Sequence, residues 1–141
     1  MRNPDFVIGS PDHPYLLRWW IIPRNRWFNI YLHHIRRDDD DRALHDHPWW
    51  NVSILLRGAY TEIRQKGYRK THRAGSIVLR RATCAHRLEL PIRNGGIRFC
   101  WSLFITGPTI REWGFHCPQG WRHWKDFVAN DAKGQVGKGC E

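Results

Sequence analysis

The chain has 141 residues, 41% of them hydrophobic and 13% aromatic, with 23 Lys and Arg against 13 Asp and Glu. That is the size and composition of one globular domain, long enough to bury a core without staples, and it excludes a helical membrane span and a collagen-like or low-complexity chain. The formal charge of +10 comes mostly from arginines spread along the whole sequence, with no lysine-rich tail or basic helix. It reads as a basic solvated surface before it reads as a nucleic-acid footprint, so nucleic acid is a permitted partner that the pattern does not favour.

In chain order, residues 1–14 carry three prolines and polar punctuation and are expected to form an extended arm. Short runs rich in aromatic and β-branched residues then follow at 15–22, 27–35, 49–56, 59–65, 76–80, 86–90, 97–105 and 110–116. Turn signals separate them: Pro23-Arg24-Asn25, Arg57-Gly58, Lys66-Gly67, Asn94-Gly95-Gly96 and Gly107-Pro108. About eight short strands with regular turns predict an all-β sandwich or barrel over 15–129, and Asn94-Gly95-Gly96 is the clearest hairpin signal. Helical spacing appears only in 119–129, where Trp121, Trp124, Phe127 and Val128 share a face. Residues 130–141, with Gly134, Gly137 and Gly139, are expected to be a flexible tail.

Three histidines carry the chemistry. His45 and His47 stand two apart, which on a strand points both to one face, and His86 can close a three-sided cage from a neighbouring strand. Three neutral imidazoles with open positions left over make a metal site able to take a further ligand. From residue 45 the odd positions His45, His47, Trp49, Asn51, Ser53 and Leu55 form a polar, metal-competent face, while Trp50, Val52, Ile54 and Leu56 form a uniformly apolar one. A polar face carrying the histidines suits the wall of a wet cavity. Pro48 cannot donate to a ladder and marks an edge or bulge.

At these residues the chain resembles the cupin superfamily, small double-sheet jelly rolls with two metal-binding motifs. The first motif, G-x5-H-x-H-x3,4-E-x6-G, matches His45, His47 and Gly58, with Asp39 and Asn51 in place of the leading glycine and the glutamate. The second, G-x5-P-x-G-x2-H-x3-N, matches Gly75 and His86, with Arg81, Thr83 and Leu90 replacing the proline, glycine and asparagine. The resemblance covers about residues 28–116. It implies a double-stranded β-helix, a homodimer, and a divalent metal on His45, His47 and His86. Fe(II) leads, and Zn, Ni, Mn or Cu are also compatible with imidazole ligands. Asn51 would be a weak ligand or would hydrogen-bond a metal-bound water. Losing the one anionic ligand leaves the metal its full positive charge, which favours an anionic substrate or a dioxygen-derived ligand. The reading is a metal-dependent, dioxygenase-like enzyme of the cytoplasm acting on a small molecule, with a non-catalytic binding barrel as its rival.

Among other residues, Arg111 has a fork suited to a substrate carboxylate or phosphate, with pairing to Glu112 across a strand as the simpler alternative. Tyr31 and Trp101 are further candidates for the substrate pocket. Tyr31 and His33 share one face of the 27–35 strand, with His34 on the other. Cys84, Cys100, Cys117 and Cys140 show no CxxC pairing, so free thiols in a reducing compartment are expected. His116, Cys117 and His123 match no standard zinc spacing.

Overall fold

The computed structural model describes residues 2–10, 12–38, 43–91, 99–129 and 137–141. The fold is all-β. Its strands are β1 (Phe6–Ser10), β2 (His13–Trp20), β3 (Asn29–Ile35), β4 (Leu44–His45), β5 (Asn51–Arg64), β6 (Arg69–Arg73), β7 (Ile77–Arg80), β8 (His86–Glu89), β9 (Cys100–Thr106), β10 (Gly114–Cys117) and β11 (Gly120–His123), followed by a single helical turn, α1 (Trp124–Phe127). The strands run in the order β1-β2-β3-β9-β5-β8-β4-β10-β11, with β6 and β7 also paired to β5.

The long strand β5 ties the two sheets of the barrel together. Its first half pairs with β7 and β9, and its second half with β6 and β8. The change of sheet occurs at a register shift between Leu55 and Arg57, next to Gly58 at φ +81°. A Cβ at residue 58 would collide with the carbonyl oxygen of Phe99, so the position needs glycine for both its conformation and the close approach of β9. Arg57-Gly58, expected to be a turn between two strands, is therefore a bulge inside one strand.

Alternation settles which face looks inward. On β3 and β9 every odd and every even position respectively is buried, and on β5 Asn51, Ser53 and Leu55 are buried while Val52 and Ile54 are only partly covered. The polar face is the interior one. A core of Tyr15, Leu16, Ile35, Leu55, Tyr60, Val78, Leu88, Leu90 and Cys100 closes one part of the barrel, leaving a cavity of about 310 Å³ beside it.

Three sequence expectations change. Phe6–Ser10, within the expected arm, forms β1 against β2. The expected helix at 119–129 is the β10–β11 hairpin's second strand followed by one turn, because Gly120 at φ +127° makes a tight reversal and Trp121 pairs with His116. Cys117 and Cys140 form a disulfide, and the Gly137 and Gly139 amides donate to the Phe127 carbonyl, so the described end of the expected flexible tail is tied to α1. The cysteine argument for a reducing compartment loses that pair, whose separation of 23 residues carries no local signature. Cys84 and Cys100 are free. The hairpin expected at 94–96, and residue 39 of the first motif, lie outside the described residues. No helix among those residues is long and apolar enough to cross a membrane.

Candidate metal centre and cavity

The three histidines converge. One imidazole nitrogen from each of His45, His47 and His86 lies within 4.8 Å of the others. His45 and His86 face each other directly across β4 and β8. His47 does not share a strand with His45, because β4 ends at His45. The side chain of Asp46 is captured instead: its carboxylate accepts from the Gly114 amide at 2.8 Å and from Trp121 Nε1 at 3.0 Å, with His116 Nε2 at 3.1 Å and Arg111 Nη1 at 3.0 Å. The His47 amide then donates to the Ala82 carbonyl, and the Pro48 carbonyl accepts from Ile110. The His-x-His segment is thus a stapled loop, and Asp46, between the two histidines, is its anchor.

Glu62 completes the centre from behind. Its Oε2 lies 2.5 Å from His86 Nδ1 and also accepts from Arg80 Nε. Burial would raise the Glu62 carboxyl, but the His86 hydrogen bond and the Arg80 charge overcome it and hold it well below the usual range. An ionised carboxylate only accepts, so His86 Nδ1 carries the proton and Nε2 keeps its lone pair. Burial, followed by the Arg80 charge, lowers His86 to about 3. His47 is also held well below its ordinary value, by burial first and then by His86, His45, Arg80 and Arg18. A carboxylate behind a ligating histidine fixes its tautomer and ring orientation and raises its basicity. The Nδ1 of His47 is buried without a hydrogen-bond partner, so this ring is not held by a second acceptor as His86 is. The residues fit a divalent cation on three neutral imidazoles.

Arg80 is the hub of this wall. Besides Glu62 it donates to Asn51 Oδ1 at 3.0 Å, Ser53 Oγ at 2.8 Å and the Tyr60 hydroxyl at 2.8 Å. The Asn51 oxygen that the motif would offer to a metal is therefore engaged with Arg80, and Asn51 is absent from the cavity wall. It supports the centre through Arg80, Glu62 and His86.

The other candidate residues are placed as follows. Arg111 does not line the cavity; it bridges the Asp46 carboxylate and the His47 carbonyl, at 3.0 Å from each. The pairing weighed for it, with Glu112, is not made either: Glu112 bonds His123. Tyr31 is buried under the Arg18 guanidinium, 4.4 Å from its ring centroid, and is not itself part of the wall. Trp101 sits on the opposite face of β9, stacked on His34 at 4.0 Å and on Trp19 at 5.7 Å. The wall instead uses Trp49, Phe104, Trp113, Phe115 and Trp124, with Arg18 and His33. Sequence reasoning missed Glu62, Arg80 and Arg18. The only signal for Arg18 is a cation set among apolar residues in Leu16-Leu17-Arg18-Trp19-Trp20.

No protein-family model and no curated protein matches this sequence. Solved structures do. An uncharacterized conserved protein with a double-stranded β-helix domain from Klebsiella pneumoniae superposes with a TM-score of 0.56 at 15% identity, over 79% of this chain and 90% of that one. A cupin-like protein from Thermotoga maritima gives 0.56 at 13% identity, over 76% and 79%. The DMSP lyase DddQ from Ruegeria pomeroyi gives 0.58 at 12% identity, over 85% of this chain and 61% of that one. The chain thus has the double-stranded β-helix fold of these structures, with His45, His47 and His86 gathered at its interior.

Proposed function

We propose that this cupin is a metal-dependent, oxygenase-like enzyme acting on a small molecule in the cavity beside His45, His47 and His86. The observation that carries the reading is the histidine triad itself, His47 and His86 buried and His45 half-buried at the wall of a 310 Å³ cavity, with Glu62 fixing His86. The three imidazoles would hold one divalent ion, Fe(II) by preference. Such an ion supplies Lewis-acid and redox chemistry at the positions the protein leaves open. Glu62 holds the His86 tautomer, Asp46 holds the His47 loop, and Trp49, Trp113 and Trp124 keep bulk water from the centre.

The test is elemental analysis after anaerobic reconstitution with Fe(II), Zn(II), Mn(II), Ni(II) and Cu(II) in turn. One equivalent per chain is expected for the wild type and none for the His45→Ala/His86→Ala double variant; no stoichiometric uptake of any of them sinks the reading. Oxygen consumption by the iron form with an organic acid separates an enzyme from a binding barrel. The barrel reading draws support from Asn51, which leaves the cage without an anionic ligand, and it expects ligand binding indifferent to chelators. A homodimer is part of the proposal. Val52, Ile54, Ile77, Leu79, Leu103 and Ile105 form paired apolar positions on the outer face of β7, β5 and β9, with Leu79 73% exposed. Light scattering that finds only monomers at all concentrations rejects it.

A further inference from the structure

Arg18 is the one charged group of the cavity that the metal centre does not explain. It lies on β2 directly across from His33 of β3, and both side chains turn into the barrel. Its Nε donates to His33 Nε2 at 2.9 Å, and its guanidinium lies over the Tyr31 ring at 4.4 Å. His33 is itself fixed, stacked against Phe104 at 4.9 Å. These contacts hold the guanidinium plane while using only Nε. The two terminal nitrogens make no hydrogen bond or ion pair to any described residue. They are not sealed off either, since Arg18 is part of the cavity wall.

Among the described residues the cation has no counter-charge: none of their Asp or Glu side chains lines the cavity, and Arg80, the other arginine there, is already matched by Glu62. Burial lowers Arg18 to about 10, which leaves it protonated at neutral pH. An unpaired, half-buried cation opposes folding, and such a group persists where function needs it. Its neighbour in bonding is a neutral acceptor: burial and the Arg18 charge hold His33 well below its ordinary value. His33 therefore orients the guanidinium without neutralising it.

The geometry also gives direction. Phe104 stacks on His33 at 4.9 Å and has the His47 ring 6.4 Å from its own centroid. The same aromatic ring therefore neighbours both the partner of the free fork and the histidine cage, and the wall is mostly apolar, with Ile8, Leu16, Ile35 and Leu88 beside the polar Ser53, Tyr60 and Ser102. A planar fork of two parallel N–H groups matches a carboxylate bidentately.

We propose that Arg18, oriented by His33 and Tyr31, is the anion clamp of this cavity, and that the ligand is a small organic acid with an apolar body, held by its carboxylate. The clamp specifies the substrate class of the proposed metal enzyme, and it rests on that reading only for what the far end of the acid meets. Arg18 is a binding residue, and His33 is a positioning residue that acts through it.

Benzoate and hexanoate, each against its amide (benzamide and hexanamide), serve as probes by calorimetry on the metal-loaded and on the chelator-treated protein. Both acids are expected to bind about ten- to hundredfold more tightly than their amides, the range of a charge-assisted hydrogen-bond pair. Arg18→Met should bring the acids down to the amide level with metal content unchanged. Arg18→Lys, which keeps the charge without the fork, should recover only part, and it stands alone if the Met variant does not fold. Equal binding of acids and amides, no binding of either acid, or undiminished acid binding in the Arg18 variants overturns the clamp. An acid preference that vanishes on chelation yet survives in the Arg18 variants assigns the anion to the metal and also overturns it. An Arg18-dependent preference in a protein that takes up no metal keeps the clamp and removes the metal centre.

Discussion

The cavity of this barrel is bordered by two arginines with opposite surroundings, Arg80 buried and Arg18 half-buried. Arg80, on the His86 side, is bonded to Glu62, Asn51, Ser53 and Tyr60, so its charge is balanced inside the fold. Arg18, on the β2–β3 side, has a neutral histidine and an aromatic ring and no carboxylate. A satisfied polar network rigidifies and specifies a core; an unsatisfied one at a cavity wall is receptive. The first arginine belongs to the architecture of the histidine cluster, and the second is available to a ligand.

The largest way to break the contrast is at Glu62. Glu62→Gln keeps the shape of the side chain but leaves Arg80 buried without a counter-charge. Removing one partner of a buried pair costs about 3–5 kcal/mol, which should appear as a lower denaturation midpoint in urea. Metal affinity should fall about 10–100-fold as His86 loses the acceptor that orients it. A variant with unchanged stability and metal affinity would make the Arg80 network decorative.

The disulfide comes next. Cys117–Cys140 ties the β10–β11 hairpin to the chain end that bonds the Phe127 carbonyl. The same region supplies Trp113, Phe115 and Trp124 to the cavity wall. Cys117→Ser/Cys140→Ser, or reduction, should cost about 3 kcal/mol from the freed loop. It should also weaken small-molecule binding more than metal binding, because Glu62 and β8 lie outside the loop. Equal losses in both would show that the cage depends on the cap.

How much of this was legible beforehand follows from what is local and what depends on register. His45, His47, His86, Gly58 and Gly75 were legible because their spacing is fixed along the chain, and the inward polar face of β5 followed from period-two alternation. Glu62 was not, because eleven residues past Asn51 nothing local marks it; only the β5–β8 register, which sets Glu62 opposite Leu88 and Arg64 opposite His86, brings it behind the imidazole. Arg111 was expected to hold an anion and does so, but the anion is Asp46, 65 residues earlier in the chain. The disulfide was invisible because its cysteines follow no motif. Arg18 needed the strand pairing with His33 to become more than a cation in an apolar run.

Acid stability tests both sides of the cavity at once. His33, His47 and His86 are each buried and held below 6.5, chiefly by burial. Above that pH they are neutral in both states and add nothing. As pH falls below 6.5 the unfolded chain takes up protons that the folded chain refuses, so stability declines by about 1.4 kcal/mol per pH unit for each histidine. For His86 the decline continues to about 3. Glu62, lowered from 4.5, adds its own loss only below that value. In the metal-free protein, unfolding free energy should therefore drop steadily between pH 6.5 and 4.5, and His33→Gln should reduce the slope by one proton while retaining an acceptor for Arg18. A flat profile over this window would mean that the histidines are charged in the fold.

The smallest effect is the sharpest on the arginines themselves. Arg18→Met removes a cation–π contact and one hydrogen bond, each worth about 1 kcal/mol. It also removes the burial penalty of a cation that nothing neutralises, and methionine fills the apolar part of the space. Water in the cavity can take over the His33 acceptor. These contributions oppose one another, so the change in unfolding free energy should stay within about 1 kcal/mol of zero. Arg80→Met, by contrast, takes the buried partner from Glu62, leaving it only the partly exposed Arg64 at 2.9 Å, and should lose about 3 kcal/mol. Paired urea titrations of the two variants measure the difference directly. If Arg18→Met is as damaging as Arg80→Met, the Arg18 side chain is a strut of the barrel and its open fork has no ligand to explain. If it is nearly silent, the cation is kept for something the folded chain alone does not contain.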